Sequence, residues 1–336
     1  MRRKYLDFKK LEFEKKEWDG MTLRTAGIHH ITAFVRDAQA TVDFYAGVLG
    51  LRLVKKTVNF DAPEVYHLYF GNETGSPGTI MTFFPWPASR RGRIGAGQVG
   101  VTTYAVPAGT LDFWKGRLAK FGIAVSEHVR FSETYIRFRD PDGLELEIVA
   151  REGGPASRWS FGGVPAEKAI KGFGGAVLYS AAPEHTGLVL ERVMGLVRTG
   201  SEGSVVRFRA EGQLGNLIDL DTSVTSFGAG GAGTVHHIAW RAKDDAEQLL
   251  WRRRVEQAGF HPTPVTDRQY FNAVYFREQG GILFEIATDP PGFARDEEPD
   301  RLGEKLMLPA WYEPYRAQIE KGLPPFELRA LKEDKG

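Results

Sequence analysis

The sequence predicts an α+β fold assembled from four βαβββ modules, and three observations carry the prediction. Gly27-Ile28-His29-His30-Ile31-Thr32-Ala33 is nearly repeated as Thr234-Val235-His236-His237-Ile238-Ala239-Trp240. Each copy begins a β-branched, strand-like run, followed by a helical pattern and three short strand candidates. The same order of signals returns twice between them, so four units of roughly 50–70 residues fill 27–288.

Each element can be justified in order. A densely charged extension, 1–24, comes first and contains Met21, an alternative start. Module 1 spans 25–95; its helix, Asp37 to Leu49, opens on an acidic cap and carries Val42, Phe44, Tyr45 and Leu49 as its apolar members. Module 2 spans 96–152, with strand Gly100–Val106, helix Thr110–Lys120, then strands Ala124–Val129, Thr134–Phe138 and Leu144–Val149. Module 3 spans 170–225, with strand Gly174–Ser180, helix Pro183–Met194 and strands Leu196–Thr199, Ser204–Arg209 and Leu217–Leu220. Module 4 spans 232–289 around a helix from Asp244 to Ala258. The Pro-punctuated tail, 290–336, contains an amphipathic stretch, Trp311 to Lys321, expected to pack over a neighbouring module or subunit. A single module buries little apolar surface, so modules must pair across their sheets.

Composition narrows the function. Of 336 residues, 42% are hydrophobic and 26% charged, an ordinary globular balance. Lys+Arg 44 against Asp+Glu 43 leaves a net charge of +1, which argues against a nucleic-acid or membrane-surface partner. No apolar run approaches the ~18 residues of a membrane span, and the charged start has no secretory apolar core. A cytoplasmic location is the expectation. Cysteine is absent, so any metal must be held by carboxylates or by some of the eight histidines.

One constellation stands out. Glu285 lies inside the apolar run Ile282-Leu283-Phe284-Glu285-Ile286, where a carboxylate needs a partner. One histidine from each His-His pair, added to Glu285, gives two imidazoles and one carboxylate, the facial set of non-haem Fe(II) oxygen chemistry. Adjacent strand side chains point to opposite faces, so one member of each pair is expected at the metal. Such a centre requires modules 1 and 4 to pair, leaving modules 2 and 3 for each other. The middle modules carry Thr102-Thr103 and Gly174-Gly175 in place of the histidine pairs, while Glu147 and Asp219 occupy the slot of Glu285; these read as remnants of a duplicated site. His67 reads as a cavity residue or a structural donor, and His128, His185 and His261 as surface residues. Gly228 to Gly233 satisfies GxGxxG, but the glycines lead into a strand and not a helix, so they read as an inter-module loop.

The stretches GIHHITA (27–33), YHLYFGNETGSPGTIMTFFPWP (66–87), GTVHHIAWR (233–241), VTDRQYFNAVYFREQGGILFEIATDPPGF (265–293) and LMLPAWYEPYRAQIEKGLPP (306–325) together resemble the vicinal-oxygen-chelate superfamily. Within it, the chain is similar to the dioxygenases that open hydroquinones. The resemblance implies His30, His237 and Glu285 as Fe(II) ligands, with Mn(II) as the alternative metal. It also implies catalytic or substrate-side roles for His29, His236, Arg268 and Tyr275, and for Thr32. A small aromatic diol and O2 would be the substrates, and a homo-oligomer the assembly. Asn272 and the loop Asp61-Ala62-Pro63-Glu64 depart from the family pattern and bear on substrate shape. The alternatives are a catechol extradiol dioxygenase, a glyoxalase-type isomerase or an aromatic-binding resistance protein. The isomerase needs a fourth ligand, and the slot in module 1 that matches Glu285 holds Thr82.

Overall fold

A computed structural model describes residues 23–334, so the N-terminal extension and Met21 lie outside the described residues, save for its last two positions. Module 1 comprises β1 (Ile28–Val35), α1 (Ala38–Val42), β2 (Arg52–Asn59), β3 (Ala62–Gly71) and β4 (Ile80–Pro85). Module 2 comprises β5 (Gln98–Val106), α2 (Leu111–Lys120), β6 (Ser126–Arg130), β7 (Glu133–Arg139) and β8 (Glu145–Ala150). Module 3 comprises β9 (Gly172–Tyr179), α3 (Pro183–Leu188), β10 (Val197–Glu202), β11 (Val205–Arg209) and β12 (Leu217–Asp221). Module 4 comprises β13 (Thr234–Ala242), α4 (Asp245–Gln257), β14 (Thr266–Asp267), β15 (Phe271–Arg277) and β16 (Leu283–Pro291); the tail carries α5 (Arg316–Gly322).

The acidic caps act as their position requires: Asp37 Oδ1 accepts from Ala40 N and Asp244 Oδ1 from Glu247 N, each at 2.8 Å. The continuous helix expected from Asp37 to Leu49 is interrupted, because α1 passes into a π-helical turn over Asp43–Val48. The helix of module 3 does the same over Val189–Val193. Gly47 in the first turn gives room to the tail: a Cβ there would stand 2.7 Å from Leu331 Cδ1.

Sixteen strands form two eight-stranded sheets, ordered β14-β15-β16-β13-β1-β4-β3-β2 and β10-β11-β12-β9-β5-β8-β7-β6. The first contains strands of modules 1 and 4, the second those of modules 2 and 3. At each centre two first strands run antiparallel, β1 with β13 and β5 with β9, and each lies parallel to the last strand of its own module. One apolar core, including Ile31, Tyr45, Tyr104, Ile148, Trp240 and Trp251, runs through both sheets. The Tyr45 hydroxyl donates to Asp140 Oδ2 at 3.1 Å, linking the helix of module 1 to the end of β7.

The central pairings are bulged, and the bulges set the correspondence between modules. His29 is the extra residue of β1 between the pairs Ile28↔Trp240 and His30↔Ala239, and His236 is the extra residue of β13. In the second sheet the extra residues are Gly100 and Gly174. Parallel register then aligns Thr82, Glu147, Asp219 and Glu285, opposite Thr32, Thr103, Val177 and Ala239. The counterpart of His29-His30 in module 2 is therefore Gly100-Val101, two residues before the Thr102-Thr103 expected from the sequence. Gly174-Gly175 holds its expected place. A Cβ on Gly100 would fall 2.1 Å from the Tyr179 ring, so that ring occupies the place of an imidazole.

Guanidinium groups fill the equivalent centre of the second sheet. Glu147 accepts from Arg130 and Arg137, and Asp219 from Arg130 and Arg207. The tail lies over module 1, with Ile319 and Leu323 in the core and α5 against β3. Lys55, fully buried on β2, anchors the preceding segment through Asp296 and Glu297, each at 2.5 Å. The glycine-rich 228–233 segment bridges to Arg91 and Arg93 and leads into β13, with no helix after it. Among the described residues, no helix is long and apolar enough to cross a membrane.

Candidate metal centre

The strand order β16-β13-β1 sets Glu285, His237 and His30 side by side. His30 Nε2 lies 3.1 Å from His237 Nε2, and Glu285 Oε2 lies 2.8 Å from His237 Nε2 and 3.4 Å from His30 Nε2. Two ligands at right angles, each about 2.1 Å from one cation, stand about 3 Å apart. The three atoms therefore have the spacing of one face of a coordination octahedron.

All three side chains are buried, and Glu285 is 0% exposed. Neither of its oxygens has a hydrogen-bond partner, since the His237 contact does not meet hydrogen-bond geometry. Burial alone would raise the Glu285 carboxyl, but the facing His30 and His237 imidazoles outweigh it and hold the group well below the usual range. Burial lowers His237, against the opposing pull of the Glu285 charge. A buried carboxylate without a hydrogen-bonded partner calls for a cation, and the donor set suits a first-row divalent metal. Among the described residues, these three form the one group of histidines and acids close enough to share an ion.

The other histidine of each pair supports the first. His29 Nδ1 stands 2.9 Å from His30 Nδ1, and His236 Nδ1 stands 2.8 Å from His237 Nδ1. Each contact fixes a ring and leaves its Nε2 facing the centre. Strict alternation would forbid this; the bulges at His29 and His236 permit it. His29 is enclosed, its ring centroid 5.3 Å from that of Phe271, and burial followed by the neighbouring His30 lowers its pKa well below the ordinary value. His236 opens onto a cavity, while the protein around it and His237 push its pKa down to about 3.

That cavity, of about 330 Å³, rises from His30 and His237 and is walled by Phe34, Phe84, Phe271 and Leu283, with Arg268, Tyr275, His67, Tyr69 and Asp61 as its polar members. Arg268 Nε donates to the Tyr275 hydroxyl at 3.3 Å, and its Nη1 pairs with Asp61 Oδ2 at 3.0 Å across from module 1. Burial and the Glu285 charge raise Tyr275, whose backbone pairs with Glu285.

Five of the residues expected at the site thus border the cavity with its metal face: His30, His237, His236, Arg268 and Tyr275. Glu285 lies beneath. His29 and Thr32 do not line the cavity; Thr32 is fully buried and bonds Thr82 Oγ1 at 2.9 Å. Asn272 is not part of the wall either, since its amide donates to Asp245 Oδ1 at 2.7 Å on α4. His67, read from the sequence as a cavity residue or a structural donor, faces the cavity beside Tyr69, and Asp61 proves to be the partner of Arg268. The alternation His67, Tyr69 along β3 was the available signal for the first; nothing local signals the second.

A model of the Glyoxalase/Bleomycin resistance protein/Dioxygenase superfamily matches residues 27–148. Over 311 residues the chain is 61% identical to "Putative ring-cleaving dioxygenase MhqO" of Bacillus subtilis (strain 168), covering 93% of this chain and 100% of that one. The chain belongs to this superfamily, among its ring-cleaving dioxygenases. A second dioxygenase relative, 38% identical over 298 residues, is the "Chlorohydroquinone/hydroquinone 1,2-dioxygenase" of Sphingobium indicum, with 85% of this chain and 92% of that one covered. The crystal structure of a "putative dioxygenase from Bacillus subtilis subsp. subtilis str. 168" superposes with a TM-score of 0.91 at 61% identity, covering 92% of this chain and 100% of that one. Thr82, which is no carboxylate, stands in module 1 at the register position that Glu285 holds in module 4.

Proposed function

We propose that the protein is an Fe(II)-dependent dioxygenase that opens a para-dihydroxybenzene ring, with His30, His237 and Glu285 as the metal ligands. The observation that carries this reading is the buried, octahedrally spaced triad at the floor of an aromatic-walled cavity. The para-diol class is supported by the hydroquinone dioxygenase relative. When bound, the metal would lower the pKa of a coordinated phenol and offer neighbouring positions to phenolate and O2. Mn(II) suits the same ligands.

The surrounding residues divide the remaining work. Aromatic walls hold the ring and exclude water. Nδ1–H of His237, whose Nε2 faces the centre, donates to Nδ1 of His236, so a neutral His236 carries its proton on Nε2 and offers that N–H to an oxygen atom in the cavity. The Arg268 guanidinium opposes negative charge developing on the substrate oxygens, held in place by Asp61 and Tyr275. The Tyr275 hydroxyl, kept protonated by burial, donates to a substrate oxygen. His29 and Thr32 act from behind the wall, through His30 and Thr82. We place the protein in the cytoplasm as a homo-oligomer and read its modules as 25–95, 96–152, 170–225 and 232–289, each containing its own strands and helix.

The test is anaerobic loading with Fe(II), metal analysis, and O2 uptake with hydroquinones and catechols in parallel. Stoichiometric iron and a hydroquinone preference are expected. Protein that binds no divalent metal would refute the centre, and a clear catechol preference would refute the substrate class.

A further inference from the structure

From the cavity wall a row of four polar groups runs inward, and the proposed chemistry gives no role to the two at its open end, Tyr69 and His67. The Tyr69 hydroxyl lies 2.8 Å from His67 Nδ1; His67 Nε2 lies 2.8 Å from Thr82 Oγ1; Thr82 Oγ1 lies 2.9 Å from Thr32 Oγ1. The row begins at the cavity, which Tyr69 and His67 line, and ends at Thr32, which is fully buried. The His67 imidazole packs against the rings of Phe84 and Tyr69, with centroids 4.4 and 4.0 Å away. Burial, with His30 nearby, lowers His67 well below the ordinary histidine value, so the ring is neutral and carries one N–H.

The row can be wired in two directions, and its blind end decides between them. If Thr32 accepted from Thr82, its own O–H would be a buried donor with no acceptor, a cost of about 1–3 kcal/mol. In the other direction every group is satisfied. Thr32 donates to Thr82, Thr82 donates to His67 Nε2, and His67 Nδ1–H donates to the Tyr69 oxygen. The Tyr69 O–H is then the one donor left over, and the cavity is where it can be used.

We infer that Tyr69 is a specificity-determining residue whose hydroxyl donates to the substrate oxygen remote from the metal, and that His67 and Thr82 are positioning residues that hold it as a donor. The inference rests on the para-diol reading. A para-diol keeps a second oxygen across the ring, whereas phenol has none. A cavity that offers a fixed buried donor penalises a ligand that leaves it unpaired.

The test uses the metal-loaded enzyme under anaerobic conditions, with hydroquinone and phenol as the probes. Wild type is expected to bind hydroquinone at least tenfold more tightly than phenol. Tyr69→Phe should remove most of that difference by weakening hydroquinone alone, and Thr82→Val should remove part of it. In Zn(II)-loaded protein, ¹⁵N–¹H spectra of the His67 ring should show the Nδ1–H tautomer. Equal binding of the two probes by wild type would overturn the para-diol reading and this inference with it. Discrimination that survives Tyr69→Phe, equal weakening of both probes, or an Nε2–H tautomer would overturn this inference while leaving the reading intact. The spectrum needs no variant to fold.

Discussion

Glu147 and Glu285 occupy the same register position in different modules, and both are fully buried, yet substituting each by glutamine should give opposite phenotypes. Glu147 accepts from Arg130 Nη1 and Nη2 at 3.2 and 2.9 Å, from Arg137 Nε and Nη2 at 3.0 and 2.6 Å, and from Thr103 Oγ1 at 3.0 Å. Glu147→Gln turns one acceptor oxygen into a donor aimed at guanidinium donors and strips charge from a buried pair. Breaking such a pair costs about 3–5 kcal/mol. Arg130 keeps Asp219 at 2.6 Å, so the lower end applies. About 3 kcal/mol corresponds to a Tm roughly 4 °C lower for a chain of this size. Iron content should be unchanged. Burial works to raise Glu147, but Arg130 and Arg137 overcome it and lower its pKa. Its stabilisation is therefore complete above about pH 4.5, the unfolded value, and fades as pH falls through the lower folded value, so the variant's deficit should shrink in acid. Glu285→Gln removes the carboxylate that the centre depends on and should abolish iron binding, while leaving the arginine pairs of the second sheet untouched. Calorimetry across pH and metal analysis on both variants decide the matter. Iron lost from Glu147→Gln, or iron retained by Glu285→Gln, would refute the assignment of the metal to the first sheet.

Three further outcomes follow from particular contacts. Lys55→Met leaves Asp296 and Glu297 without their buried cation, at a cost of about 3–5 kcal/mol; limited proteolysis should then cut near 293–305 well before the sheets. Gly100→Ala drives a Cβ into the Tyr179 ring and should cost about 1–3 kcal/mol by chemical denaturation, an unchanged midpoint counting against the bulge-based register. Asp61→Asn removes an ion pair whose acid is largely exposed, so stability should move by no more than about 1 kcal/mol. Its effect should appear instead as a raised KM, because Arg268 loses the tether that aims it into the cavity; an unchanged KM would show that Tyr275 alone holds the guanidinium.

Much of the centre was legible because its chemistry is costly. A glutamate within an apolar strand and a histidine pair at the head of two modules both violate the ordinary pattern, and such violations mark sites. The caps at Asp37 and Asp244 were equally plain. What stayed hidden depended on contacts between remote residues. Asp61 and Arg268 are separated by 207 positions, and only the sheet that unites β2 and β3 with β14 and β15 brings them within 3.0 Å. Asn272, a departure from the family pattern expected to bear on substrate shape, instead faces α4 from β15. The π-helical turns after α1 and α3 carry no propensity signal.

The Thr102-Thr103 misalignment is the most instructive, since its cause also explains the site. A doublet in sequence suggests that two adjacent side chains share a role, while an ideal strand sends them to opposite faces. The bulges resolve this conflict. One extra residue in β1 and one in β13 let each supporting imidazole reach the Nδ1 of its neighbour without occupying the metal face. Because the second sheet is bulged in the same places, at Gly100 and Gly174, the distortion belongs to the scaffold and the histidines are what the first sheet adds to it. Glycine at both positions lets Tyr179 and neighbouring strands close over the second centre, where arginines neutralise Glu147 and Asp219. One fold, repeated, thus holds a carboxylate at the same register point in both sheets. Whether that carboxylate waits for a cation or is already paired depends on the residues at two bulges and on the arginines of the neighbouring strands.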